Sequence, residues 1–314
     1  MGSKVNFTII IRISHIGEWK MKLVSVIIPT HKGSSMVAEA IKSVINQSYQ
    51  NLEIIVVDDN GKGTEEQIKT EQIVKPFVEK NKVKYIAHEK NRNGSAARNT
   101  GVKNSKGEYI CLLDDDDAYY PDKVEKEVEA LDSLSEDWGM VYCAIEGSKK
   151  GKSGHILFDV LLHSVVIGSN SFMIRRNLWE QLHGFDESFR RHQDFEFTAR
   201  VASVSKIKYL PFVGFYSKDA FRNNSKSIEQ AQAFRTHYLN KMMPLIRTFP
   251  RFRQKIIICS NSMEVTSKGS LRKMNMLLQY ASQWEPKFGK FTVIYVSAMK
   301  AVRKLKWRLV KIKR

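Results

Sequence analysis

Four consecutive aspartates, Asp114, Asp115, Asp116 and Asp117, follow directly on an apolar run at 109–113. Carboxylates crowded in this way repel one another, and at the end of a buried strand they cost stability unless a cation offsets them. An all-oxygen donor set, with no Cys or His close by in the sequence, favours a hard divalent ion, Mg²⁺ or Mn²⁺. Two further polar segments have the same placement. Asp58-Asp59-Asn60-Gly61 ends the run 53–57, and Pro29-Thr30-His31-Lys32-Gly33 ends the run 24–28. Asp-Asp-Asn-Gly is also ordinary turn chemistry; four aspartates in a row are harder to dismiss.

The elements that must position these residues are legible in the hydrophobic pattern. Short apolar runs at 24–28, 53–57, 83–87 and 109–113 alternate with helical patterns at 36–47, 65–75 and 95–105, the second of which is stopped or kinked at Pro76. In the first helix Val37, Ile41, Val44 and Ile45 share one face. Such alternation predicts an α/β fold with a parallel sheet built from βαβ units. Strands are expected again at 138–144 and 171–174, then a short helix at 176–182 stopped by Gly184. In an open sheet of this kind ligands bind beyond the carboxyl ends of the strands. All three polar segments lie there, so the carboxylates after two strands are expected to converge on one cleft for a cation and a nucleotide.

Beyond about Ser225 the pattern becomes helical, through 228–248 and 270–283. The predicted organisation is an N-terminal extension over 1–20, a sheet domain over 21–225 and a helical C-terminal region over 226–314. From Phe291 onward apolar residues recur at steps of three and four, with Lys and Arg largely on the other face.

The net charge of +18 argues for an anionic partner. Between 285 and 314 there are ten Lys/Arg against one acidic residue, so much of the excess lies in the tail. An anionic membrane surface suits that tail. The acidic run at 114–117 would repel a nucleic-acid backbone, and no nucleic acid is expected as partner. Three widely spaced cysteines without a CxxC pair argue against a zinc site or a disulfide framework, and fit a reduced cytoplasmic compartment. No stretch approaches the length of a membrane span. The expected location is the cytoplasm, peripheral on the cytoplasmic face of the membrane.

Other chemistries with aspartates after strands fit less well. A haloacid dehalogenase phosphatase needs Asp-x-Asp followed by Thr or Val near its first strand, whereas Ala118 and Tyr119 follow here. A receiver domain has its acidic pair after the first strand. No GxGxxG or Walker loop is present, and a glycoside hydrolase would not need the acidic cluster besides its two carboxylates.

Taken together, Val24-Ser25-Val26-Ile27-Ile28-Pro29-Thr30, Val56-Val57-Asp58-Asp59, Asn93-Gly94-Ser95-Ala96-Ala97-Arg98-Asn99-Thr100-Gly101 and Gly107 to Asp117 with Pro121 resemble glycosyltransferase family 2. The resemblance covers about 23–216 and is specific in combination, because order and spacing agree.

It implies a GT-A fold, a mostly parallel Rossmann-like sheet flanked by helices, here with a helical basic C-terminal extension. It also implies an inverting reaction on a nucleotide-sugar, UDP-linked by family weight, with a glycan or lipid-linked acceptor. Pro29, Thr30 and His31 resemble the loop against base and ribose. Asp59 matches the position that hydrogen-bonds the base, with Asp58 beside it. Asp114-x-Asp116 resembles the DxD motif, in which Asp116 binds the metal while Asp114 and Asp115 face ribose or sugar. Arg98 matches a motif arginine, for which nucleotide contact and a buried salt bridge are equally open. Gly184-Phe185-Asp186-Glu187 followed by Gln193-Asp194-Phe195-Glu196 resembles the segment that carries the catalytic base, Asp194, although Gln193 stands where the family commonly has Glu. The segment after Phe215-Tyr216-Ser217 lacks the family's His but offers Lys218 and Arg222 to phosphates. Two other readings remain open: nucleotidyl transfer on the same fold, and a basic nucleic-acid-binding or scaffold protein on a degenerate sheet domain.

Overall fold

The computed structural model describes residues 21–80, 82–147, 151–190, 192–217, 228–265 and 279–285. The chain runs β1 (Val24–Thr30), α1 (Val37–Ile45), β2 (Leu52–Asp58), α2 (Glu65–Glu79), β3 (Lys84–Ala87), α3 (Gly94–Lys103), β4 (Tyr109–Leu112), β5 (Asp117–Tyr119), α4 (Lys123–Asp132) and β6 (Trp138–Ala144). It continues with α5 (Leu157–Leu161), a 3₁₀ turn (Ser169–Ser171), β7 (Phe172–Arg175), α6 (Arg176–Gln181), α7 (Gln193–Val204), β8 (Lys206–Val213), β9 (Phe215–Ser217), α8 (Ile228–Arg247) and α9 (Arg251–Val265).

Seven strands form one sheet in the order β3-β2-β1-β4-β7-β6-β8. Only β7 is reversed, pairing antiparallel with β4 and β6, while the other pairs are parallel. Every residue of β1 is buried, as a central strand covered on both faces requires. Alternate side chains supply two cores. Val24, Val26 and Ile28 pack with Val37, Ile41 and Val44 of α1 and Val124 and Val128 of α4. Ile27 faces the other way, into a cluster with Ala97 of α3, Phe197 of α7, Tyr238 and Met242 of α8 and Ile257 of α9. The C-terminal helices thus share a core with the helix that begins beside Asp194.

Two departures from the sequence pattern have local causes. α2 runs through Pro76 to Glu79 instead of stopping at Lys75. Proline's fixed φ is compatible with a helix, and its missing N–H forgoes a single bond. β5 and β9, three residues each, are too short to carry a period; they pair antiparallel as Asp117↔Ser217 and Tyr119↔Phe215. The extension at 1–20, the boundary near Ser225, most of the helix expected at 270–283, Lys218, Arg222 and the basic tail at 291–314 lie outside the described residues. No helix among the described residues is long and apolar enough to cross a membrane.

Beneath the acidic run, Lys123 and Glu127 form a fully buried ion pair of 2.6 Å, one turn apart on α4. The Lys123 ammonium also lies 4.3 Å from the Tyr119 ring centre, and Cys111 approaches Glu127 at 3.8 Å. Burial pushes Glu127 up to about 7 against the pull of Lys123, and burial likewise raises both nearby thiols, Cys143 to about 12. Breaking such a pair is costly because it strands one charge in the core. Lys123→Met alone is expected to lower the unfolding free energy by about 3–5 kcal/mol in urea melts. The double variant Lys123→Met/Glu127→Leu should recover most of it; equal losses in both would show that packing, not charge, sets the cost.

Candidate active site

The acidic run does not continue the strand. After Leu113 it turns, and the Asp117 N–H closes the turn on the Asp114 carbonyl at 3.2 Å. First and last residues thereby face the same side. Asp114, Asp116 and Asp117 each bring a carboxylate oxygen to within 4.8 Å of the others. Asn170, from the 3₁₀ turn before β7, joins them: its Oδ1 accepts the Asp114 N–H at 2.9 Å, and its Nδ2 donates to Asp117 Oδ2 and, at 3.4 Å, to Asp114 Oδ2. Burial, with Asp114 and Asp116 adding repulsion, pushes Asp117 up to about 7 against a hydrogen bond from Ser217.

Asp115 points the other way, to the end of β1. Its Oδ2 accepts from Thr30 Oγ1 at 2.6 Å and from the His31 N–H at 3.3 Å. Pro29 and Thr30 are the last residues of β1, not part of a loop, and the exposed loop begins at His31. A Cβ on Gly33 would lie 1.8 Å from Asp115 Oδ2, so the chain passes this carboxylate only as glycine. Burial pushes Asp115 up to about 6, opposed by the Thr30 hydroxyl.

The aspartates after β2 do not join the cluster. Asp58 accepts from Tyr85 Oη at 2.7 Å and from the Asn60 N–H at 2.8 Å. Asp59 is nearly fully buried and holds the 88–93 loop: Oδ1 meets His88 Nδ1 at 2.7 Å and the Arg92 N–H at 2.8 Å, while Oδ2 accepts from the Asn93 N–H at 2.8 Å and Asn91 Nδ2 at 3.0 Å. The pair therefore shapes the wall of the cleft through protein contacts.

That loop starts α3. Asn93, at φ 90°, caps it by accepting from the Ser95 and Ala96 N–H groups at 2.9 and 3.2 Å. One turn on, the Arg98 guanidinium, 5% exposed, pairs with Asp114 through Nη2. In the structure Arg98 forms a salt bridge with Asp114. The same helix holds the Gly184-Phe185-Asp186-Glu187 turn. Asn99 exchanges both amide bonds with the backbone of Phe185 at 2.9 Å, and Ser95 Oγ donates to the Phe189 carbonyl at 2.8 Å.

Asp194 stands in the first turn of α7, after His192 in a left-handed conformation (φ 55°) whose ring packs on Phe234 of α8 at 4.4 Å. Burial pushes its carboxyl up to about 6; the Phe195 N–H and the Arg98 charge pull it down, and Asp114 adds to the rise. Asp194 thus lies within electrostatic reach of both members of the Arg98–Asp114 pair. Glu196 is turned inward, 2% exposed, and gripped by Arg200 through Nε and Nη2 at 2.5 and 2.7 Å. Arg200 also donates to the carbonyls of Leu182 and Gly184, so Glu196 holds the turn in place.

The cleft therefore joins Thr30, His31, Arg98, Asp114 to Asp117 and Asp194. Three converging carboxylate oxygens, two of them on residues with neighbours that keep them crowded, fit a hard divalent ion. The roles of Asn170 and Asn99 were not legible: they lie 56 and 86 residues from their partners, and no local period marks them.

Residues 25–189 match the family profile described as Glycosyl transferase family 2, more than half of the chain. The chain belongs to that family. A glycosyltransferase of Rickettsia typhi is 33% identical over 241 residues, covering 70% of this glycosyltransferase and 72% of the relative. The match spans only 34% of a longer Rickettsia bellii relative. Solved structures share the GT-A fold: a mannosyltransferase from Pyrobaculum calidifontis in complex with GDP-Man and Mn²⁺ (TM-score 0.57, 17% identity, 88% of this chain and 86% of that one) and S. aureus TarS in complex with UDP-GlcNAc (TM-score 0.55, 15% identity, 86% and 90%).

Proposed function

We propose that this glycosyltransferase moves a sugar from a nucleotide-sugar, with inversion, to a hydroxyl of a glycan or lipid-linked acceptor, with Asp194 as the general base. The observation that carries the reading is the presence of two separate carboxylate sites on either side of Arg98. Asp114, Asp116 and Asp117 are crowded and call for a cation, while Asp194 stands apart with its carboxyl near 6. At neutral pH it is ionised and poised to take a proton. Glu196, its neighbour, is occupied by Arg200.

In this reading Asp116, with Asp114 and Asp117, holds Mn²⁺ or Mg²⁺, which supplies the positive charge that a departing nucleoside diphosphate needs. Thr30 and Asp115 fix the edge of β1, and His31, exposed beyond them, faces base and ribose. Asp58 and Asp59 shape the opposite wall. The acceptor oxygen attacks the anomeric carbon from the face opposite the diphosphate; the C–O bond to phosphate breaks, and the acceptor proton passes to Asp194. The concentration of Lys and Arg at 285–314 supports attachment to an anionic membrane surface.

A screen of nucleotide-sugars with Mn²⁺ and no acceptor tests the donor class. One donor should be hydrolysed slowly to free sugar and nucleoside diphosphate, and UDP-sugars are the first expected. Release of pyrophosphate from a nucleoside triphosphate and a sugar phosphate, with all nucleotide-sugars untouched, would move the activity to nucleotidyl transfer.

A further inference from the structure

Asn170 is 6% exposed, in a 3₁₀ turn whose own geometry is fixed by the Ser171 N–H and hydroxyl on the Gly168 carbonyl at 3.0 and 2.7 Å. The turn leads into β7, the reversed strand beside β4, and so arrives at the same sheet edge as the acidic turn from the opposite chain direction. Its amide has one possible orientation. The Asp114 N–H needs an acceptor, which commits Oδ1 and leaves Nδ2 to face Asp114 and Asp117.

Two carboxylates that otherwise have separate partners, Asp114 with Arg98 and Asp117 with Ser217, are therefore bridged by one neutral donor. The amide oxygen accepts the Asp114 N–H, and the nitrogen turned toward the carboxylates is a donor, not a ligand. It fixes oxygens that belong to others.

We infer that Asn170 is a positioning residue that sets the geometry of the divalent-ion site formed by Asp114, Asp116 and Asp117. The inference rests on the metal reading given above. Loss of a partner that orients metal ligands typically costs about 10–100-fold in metal affinity.

The test is Mn²⁺ binding to the full chain without donor, read by the EPR signal of free Mn²⁺. Asn170→Ala should bind about 10–100-fold more weakly than wild type. Its apparent Mn²⁺ requirement in donor hydrolysis should rise by the same factor, while the rate at saturating Mn²⁺ returns to near wild type. Thermal melts without metal establish that the variant folds; if alanine is not tolerated, Asn170→Ser, which keeps a short polar group, takes its place with the same expectation. Wild-type Mn²⁺ affinity in a folded Asn170 variant overturns the inference while leaving the metal site standing, provided Asp116→Ala abolishes binding. A wild-type chain that binds no Mn²⁺ overturns the metal reading and this inference together.

Discussion

Asp194→Asn should lower the transfer rate by about 10²- to 10⁴-fold while donor affinity, measured by calorimetry, stays near wild type. The amide keeps the shape of the carboxylate and removes only its capacity to accept the acceptor's proton. The cation site, on Asp114, Asp116 and Asp117, is untouched. The pH profile gives an independent check. Burial holds Asp194 protonated up to about 6, so in the wild type turnover should climb roughly tenfold per pH unit below that value and level off above it. The sign for folding is opposite: a carboxyl raised in the folded state is a cost at neutral pH that is relieved as pH falls through about 6. Glu196→Gln is the control. It weakens the Arg200 clamp and should appear as lost stability of about 1–3 kcal/mol, with turnover per folded molecule retained. Near-normal transfer by Asp194→Asn, or loss confined to Glu196→Gln, would place the base elsewhere.

Chelation should have an effect of at least similar size. Several kcal/mol of transition-state stabilisation are attributed to a cation at a leaving diphosphate, so EDTA is expected to reduce turnover by at least about 10³-fold, with recovery on adding Mn²⁺ or Mg²⁺. Asp116→Ala should show the same loss without recovery. A thermodynamic signature accompanies the kinetic one: an ion at 100 times its Kd stabilises the folded chain by about 2.7 kcal/mol, which a thermal melt detects. Full activity in chelator-treated protein would falsify the metal role.

The parallel half of the sheet was legible because strands buried on both faces read as nearly continuous apolar runs, as in β1, β2 and β4. Asp114, Asp116 and Asp194 could be nominated from the family motifs, and Arg98 as one of two options. What the sequence pattern could not supply was direction. Nothing local says that Asp115 turns toward Thr30 while Asp114 and Asp117 meet Asn170, because those partners lie 85, 56 and 53 residues away. Nor does Asp-Asp-Asn-Gly reveal that Asp59 is enclosed by His88, Asn91, Arg92 and Asn93. Motif segments far apart in sequence proved to be mechanically joined, Asn99 gripping the Phe185 backbone, and pattern reading has no access to such pairings.

All three cysteines are buried, and Cys111 and Cys143 lie against the Lys123–Glu127 pair with thiols raised far above neutral pH. Thiolate, the reactive form, is therefore scarce and enclosed in the native state. A disulfide reagent in solution meets Cys111 only when the chain opens, so its rate of uptake at that sulfur is a clock for opening of the β4–α4 layer. Because Cys111 lies on the strand that leads into the acidic turn, ion binding there should slow the clock, linking occupancy of the cleft to a colour change that needs no substrate.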